Sequence, residues 1–414
     1  MKILVDANGR FSDLEEKITE MVSGGYRNIM VFHAEGGIDS DSQYKERSDN
    51  VLVSQHGNNV QIFGGIFPGI FDNGQLMTKG SILAGIESKV HVITLEDLND
   101  PNLHNMIEQK LEPIRKELEN NEFKTLFVFG DGFGENNLRL INILNRLIKK
   151  YPVNVIGGLT GRDKIKASHY SIFTPTKIIQ NGAVLAFTKL KSGIGVKHGW
   201  EPLMDSALEV TKINGCFVEE INGTSAFDFY MHVITSFDER LDSIQDELIK
   251  DVDKFFNQVA VKYPLGLIRE KQGGKAYIDR TAVSVGGDKS LQFSSEIPVG
   301  TKACILHLKG NSPDEQCNNL TEAIKTAFKE SKNNFPDHIE NRRVIIMDCF
   351  GRKKTVEYMG KDYSDIEFKE IALDQKDKNH SPIGPLTFGE ISSMEGNYVE
   401  LHNKTAVVGI LEDD

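Results

Sequence analysis

Gly384-Pro385-Leu386-Thr387-Phe388-Gly389-Glu390-Ile391, running on towards Leu401-His402-Asn403-Lys404-Thr405, reads as two short strands near the end of the chain. The flanks are apolar: Ile383, Leu386, Phe388 and Ile391, then Ala406, Val407, Val408 and Ile410. A Glu, a His, an Asn and a Thr set into apolar strands need partners or a ligand, because an unpaired buried polar group costs about 1–3 kcal/mol. Adjoining strands would also bring Glu390 and His402 within reach of each other. The stretch therefore predicts both a pair of closing strands and a binding site.

Working outward, helices and hairpins are interleaved without a strict βαβ rhythm. Ser312-Pro313-Asp314-Glu315 is a capping box with Pro at the first helical position, opening a helix to about Lys332. Ser12-Asp13-Leu14-Glu15 is read the same way, ahead of Leu14, Ile18, Met21 and Val22 at helical spacing. Asn214-Gly215 joins two strand candidates as a hairpin turn, and Gly286-Gly287-Asp288 joins two more. Val51 to Ser54 and Val60 to Phe63 are further strand candidates. Gly64-Gly65-Ile66-Phe67-Pro68-Gly69 then suggests backbone packed closely against something. Neither an internal repeat nor a low-complexity tract is visible. The expected fold class is α+β: a two-part chain with mixed, largely antiparallel sheets layered with helices. The expected halves are 1–198 and 199–414, the second opening at Gly199-Trp200-Glu201-Pro202-Leu203.

With 414 residues and a net charge of −12, the chain lacks the basic face that nucleic acid requires, and an anionic membrane surface is disfavoured too. Its longest apolar runs are strand-sized, short of the roughly 18 residues of a membrane span. Met1 to Ala7 enters a strand directly, with no signal-peptide layout. Cys216, Cys304, Cys317 and Cys349 are scattered and form no CxxC pair, so reduced thiols and a cytoplasmic location are expected.

Four constellations could carry chemistry. Gly130-Asp131-Gly132-Phe133-Gly134-Glu135 sits where a dinucleotide loop would, yet its spacing is GxGxG and its acids would repel a phosphate, so a tight βα turn is the reading. Cys349-Phe350-Gly351-Arg352 ends a strand beside cations. A buried thiol, a pocket-lining thiol and a nucleophile are the three readings, and the last lacks a neighbouring base. His198-Gly199-Trp200 is either an interdomain packing anchor or a source of a metal or haem ligand. The Glu390 and His402-Asn403 pair suits structural hydrogen bonding, ligand binding or acid–base catalysis. No group of Cys and His has zinc-ligand spacing.

Taken together, these residues resemble the FIST sensory domain family in its two-part form, over nearly the whole chain. The fragments that carry the resemblance in the second half begin with His198-Gly199-Trp200, Leu208-Glu209-Val210-Thr211, Val218-Glu219-Glu220-Ile221-Asn222-Gly223 and Tyr263-Pro264-Leu265-Gly266. They continue with Ile297-Pro298-Val299-Gly300, Cys349-Phe350-Gly351-Arg352, Phe388-Gly389-Glu390-Ile391 and His402-Asn403-Lys404-Thr405. In the first half, Gly157-Gly158 followed by Asp163, and Asn181-Gly182-Ala183-Val184, are similar as well. The resemblance implies an intracellular sensory module that binds small molecules such as amino acids and is coupled to kinases, cyclases or chemotaxis receptors. Some members bind haem and respond to nitric oxide. Two departures stand out: Gly64-Gly65-Ile66-Phe67-Pro68-Gly69 replaces a segment with Gly-Cys-Ser, and no output domain follows Thr405.

The expectation is a stand-alone cytoplasmic sensor, not an enzyme. It would bind a small, amino-acid-like ligand and signal through a partner such as a histidine kinase of a two-component system, a cyclase or a chemoreceptor. Arg352, Glu390, His402 and Asn403 would be the polar anchors, with Cys349 and Thr405 beside them. Arg352 suits a carboxylate and Glu390 an ammonium. One alternative is a haem-binding nitric oxide sensor with His198 as the leading axial ligand and His402 behind it. A second is a hydrolase using Cys349 or the Glu390/His402 pair.

Overall fold

The closing stretch, read as two strands, forms four, Ile383–Thr387, Glu390–Met394, Tyr398–His402 and Ala406–Glu412, and they divide between two sheets. Ile383–Thr387 and Ala406–Glu412 flank Arg342–Cys349, whereas Glu390–Met394 and Tyr398–His402 extend a sheet built from the first half of the chain. The computed structural model describes residues 1–37, 59–134, 136–163, 170–271, 274–293, 296–336, 342–363, 382–394 and 397–414. The strand candidate at 51–54 and Glu135 lie outside the described residues.

Among the described residues, three six-stranded sheets follow one plan. The first runs Lys2–Asp6, Lys79–Ile86, Asn28–Glu35, Gln61–Phe67, Ile172–Phe173, Ile178–Ile179. The second runs Val90–Leu95, Ala183–Thr188, Thr125–Asp131, Asn154–Thr160, Glu390–Met394, Tyr398–His402. The third runs Ser192–Lys197, Ala406–Glu412, Arg342–Cys349, Ile383–Thr387, Ile70–Asp72, Gln75–Met77. In each, only the middle pair is parallel. In each, the terminal hairpin comes from another repeat: the first repeat gives its hairpin to the third sheet, the second to the first, and the third to the second. The chain is thus three copies of one unit, closed in a ring by exchanged hairpins.

This corrects the expectation of no internal repeat. What the copies share is backbone geometry rather than side chains. Gly64, Gly157 and Gly384 face Val31, Val128 and Ile346 across the parallel pairs, and a Cβ on them would lie 2.0, 1.9 and 1.8 Å from those residues' carbonyl oxygens. Only glycine permits that approach. A single shared glycine among interchangeable aliphatics leaves no visible sequence period.

The inner faces of all three sheets meet in one core that includes Phe32, Phe63, Phe67, Phe127, Phe129, Met347 and Ile383. Phe32 contacts Phe67 and Phe129 edge to face, at 5.9 and 6.0 Å between centroids, and each fully buried Phe contributes about 1.5–3 kcal/mol. The outer faces take helices: Phe11–Ser23 on the first sheet, Leu103–Leu111 and Asn137–Leu147 on the second, Pro313–Asn334 and Phe350–Tyr358 on the third. The Ser312 cap holds, with its hydroxyl accepting the Glu315 amide at 3.3 Å. The first capping box does not: the helix starts at Phe11, so Ser12 already has helical backbone and cannot cap it.

The third copy is interrupted. Between Ser192–Lys197 and Pro313–Asn334 the chain builds a nine-stranded sheet, from Trp200–Pro202 to Lys302–Leu308, with its own core around Phe227, Tyr230 and Phe255. The expected division at 198/199 falls near the start of this insertion. Exchanged strands nevertheless cross it both ways, Ile70–Met77 in one direction and Glu390–His402 in the other.

Candidate functional site

The repeats give an internal control for the closing stretch. Glu390 pairs with Gly158 across the second sheet, as Ile172 pairs with Gly65 in the first and Ile70 with Pro385 in the third. On the neighbouring hairpin strand, His402 stands where the other copies have Ile179 and Met77. Aliphatic residues therefore satisfy the fold at both positions. Glu390 and His402 are departures specific to one copy, and both are buried.

The Glu390 carboxylate accepts the Thr387 hydroxyl at 2.8 Å and the Thr405 amide at 3.1 Å. Burial nevertheless pushes its pKa up to about 8, against the opposing pull of these bonds, of Cys349 and of Arg352. The His402 ring shares a 2.9 Å hydrogen bond between Nε2 and the Ser392 hydroxyl. The Thr405 hydroxyl donates to the Asn403 carbonyl at 2.8 Å. Asn403 itself has a buried Oδ1 with no partner among the described residues.

Cys349 caps the helix Phe350–Tyr358. The backbone amides of Gly351 and Lys404 pull its thiol pKa down. Asp131, at the same place in the second copy, accepts the Phe133 amide at 3.0 Å and the Asn181 amide at 2.7 Å. The two-amide seat favours an anion, but burial and the neighbouring Glu390 push the Cys349 thiol well above its ordinary range. It is a buried thiol at neutral pH. The acidic turn at 130–134 is likewise a βα corner held by Asp131, as its sequence suggests.

Arg352 does not present its guanidinium as expected. It is fully buried and paired with Asp348 through Nε at 2.9 Å. Nη1 donates to the His198 carbonyl at 2.5 Å and Nη2 to the Leu320 carbonyl at 3.1 Å. Arg352 thus ties its own helix to the strand before it, to the start of the insertion and to helix Pro313–Asn334.

Lys404 and Asp279 are the residues that sequence reasoning missed. The Lys404 ammonium is buried, donates to the Val261 carbonyl and lies 4.9 Å over the Trp200 ring. Burial lowers its pKa to about 8, with Asp279 opposing the shift. Asp279, from the insertion, is raised by burial to about 7 while Lys404 pulls the other way. Asp279 Oδ2 and Trp200 Nε1 are buried without partners among the described residues. Phe388 packs on Phe133 and Phe350 at 4.9 and 5.4 Å, so three rings stand at the strand ends next to Thr387 and Cys349. Lys404 was in view as part of the quoted stretch. Asp279 carried no sequence signal, because only the folded insertion brings it near.

His198 and His402 are the two histidines that could offer a haem iron its axial ligand. His198 Nδ1 accepts the Trp200 amide at 3.0 Å. A large cleft opens beside the insertion, but neither His198 nor His402 lines it. His402 is held within its sheet by Ser392. Among the described residues, no group of three His, Cys, Asp or Glu is placed to hold a metal ion, and no helix is long and apolar enough to cross a membrane.

A search of curated proteins gives no match. The FIST N domain model matches residues 31–224 and the FIST C domain model matches residues 226–393, so the two meet inside the insertion. Together they cover most of the chain, which therefore belongs to the FIST family of sensory domains, implicated in ligand binding and signalling.

Proposed function

We propose that the chain is a cytoplasmic sensor whose ligand is a small amino-acid-like molecule, held where the third repeat meets the insertion. The observation that carries the reading is the set of polar groups this one copy adds to a fold that elsewhere uses Ile70, Ile172, Met77 and Ile179. Burying such groups without partners is costly, and Asn403 Oδ1, Asp279 Oδ2 and Trp200 Nε1 are so buried. An ammonium suits the acceptors of Glu390, Asn403 and Asp279, and the aromatic faces of Phe133, Phe350 and Phe388 favour a cation. Lys353 and Lys354 already lie 5.7 and 4.8 Å over Phe350. A ligand carboxylate suits Lys404, while Arg352 and Cys349 position the strand end and helix that carry the site. His402 and Thr405 orient Ser392 and Glu390.

Signalling then passes to a partner protein, a histidine kinase, a cyclase or a chemoreceptor. Ligand binding would shift the insertion against the third repeat through Lys404 and Asp279. The test is a thermal-shift screen of amino acids on the wild-type chain and on Glu390→Ile, the residue that the other copies use. A stabilising amino acid whose effect is lost in Glu390→Ile is expected. Absence of any shift across the panel, or an unchanged affinity in the variant, would overturn the assignment.

A further inference from the structure

A cleft of about 1110 Å³ opens where the insertion rejoins the third repeat, bounded by the insertion, the start of helix Pro313–Asn334 and the end of helix Phe350–Tyr358. Its size is that of a small-molecule site. Two of its lining residues, Phe237 at 56% and Tyr358 at 42% exposure, are among the few large apolar side chains that the described residues leave in solvent. Apolar rings gathered in one concavity mark a contact surface.

The charges there are unbalanced. Its acids are already engaged: Asp238 accepts from Arg240 Nε and Nη2 at 2.7 and 2.8 Å, and Glu315 accepts the Asn311 amide at 2.6 Å. The lysines are not closed off in this way. Lys262 has no ion pair among the described residues, and its ammonium lies 4.6 Å over the Tyr358 ring. Lys309 is 71% exposed, with Glu201 only at 4.0 Å. On a chain of net charge −12, this concavity combines positive charge with aromatic faces.

We infer that the cleft is a second ligand site, taking a small anion with a planar aromatic ring: the ring on Tyr358 and Phe237, the charge on Lys262 and Lys309. A nucleoside monophosphate and an aromatic carboxylate share this chemistry. The cleft is also wired to the buried cluster. Val261, next to Lys262, accepts the Lys404 ammonium, and the Thr355 hydroxyl donates to the Gly351 carbonyl at 2.8 Å in the helix that Cys349 caps. An occupant would therefore act on the same joint as the first ligand.

The test is fluorescence titration of the full chain with anilinonaphthalene sulfonate, an anionic aromatic probe, followed by competition. Tyr358→Ala and Lys262→Ala should each weaken probe binding at least about tenfold, and Tyr358→Phe, which keeps the ring, should not. Displacement by adenosine monophosphate but not indoleacetate would identify a nucleotide site, and the reverse an aromatic carboxylate site. Unchanged probe affinity in both alanine variants, displacement by neither anion, or equal displacement by uncharged adenosine would overturn the inference. Glu390→Ile separates the two sites, since it should leave probe affinity intact.

Discussion

Replacing Glu390 by Gln should flatten the pH dependence of stability between about pH 5 and about pH 8. The carboxyl group has an ordinary pKa of 4.5 and is raised to about 8 in the folded protein. Across that window the native state keeps a proton that the unfolded state has lost. Stability therefore falls as pH rises, and the contribution is fully present only below the unfolded pKa. One proton of difference is worth about 1.4 kcal/mol per pH unit, so between about pH 5.5 and about pH 7.5 the wild type should lose about 2.7 kcal/mol more than the variant. Asp279, raised from 3.8 to about 7, has the same sign over a lower window and stays in both proteins, so it cancels in the comparison. Lys404, lowered from 10.5 to about 8, acts in the opposite sense: its contribution returns as pH rises above about 8, where the unfolded lysine still holds its proton. Urea unfolding followed by fluorescence of Trp200, the only Trp in the chain, gives the difference directly. Parallel pH profiles for the two proteins would refute the claim that Glu390 is protonated in the fold.

Arg352→Ala should cost about 3–5 kcal/mol, because it leaves Asp348 buried and without its cation; a melting temperature equal to wild type would show that the pair contributes nothing. Alkylation with iodoacetamide near neutral pH, mapped by mass spectrometry, should modify the half-buried Cys216 well before Cys349, whose thiol is buried and raised. Rapid, selective modification of Cys349 would instead favour the hydrolase alternative. Haem added to the purified chain should give no Soret band; a band that disappears in His198→Ala would replace the proposed site with a haem centre.

The chemistry of the third copy was legible in the sequence, because a Glu and a His inside apolar strands, with an Asn at the end of one, contradict their surroundings whatever the topology. The α+β class was legible as well, since turn signals such as Asn214-Gly215 and the cap at Ser312 act over a few residues. Their geometry is set by local backbone preferences. The threefold repeat was not legible. It rests on which strand pairs with which, and the copies preserve only close approaches, such as Gly64 to Val31 and Gly384 to Ile346, that leave aliphatic side chains free to vary. Side-chain roles were decided at the same level. Arg352 reads as a ligand anchor from its charge, yet tertiary packing surrounds it with Asp348 and the carbonyls of His198 and Leu320. Asp279 and Lys404 become neighbours only because an insertion folds back onto the copy it interrupts. Local sequence determined which groups are chemically out of place; the long-range pairing of strands decided which of them share one environment, because burial and electrostatics depend on distance in space rather than along the chain.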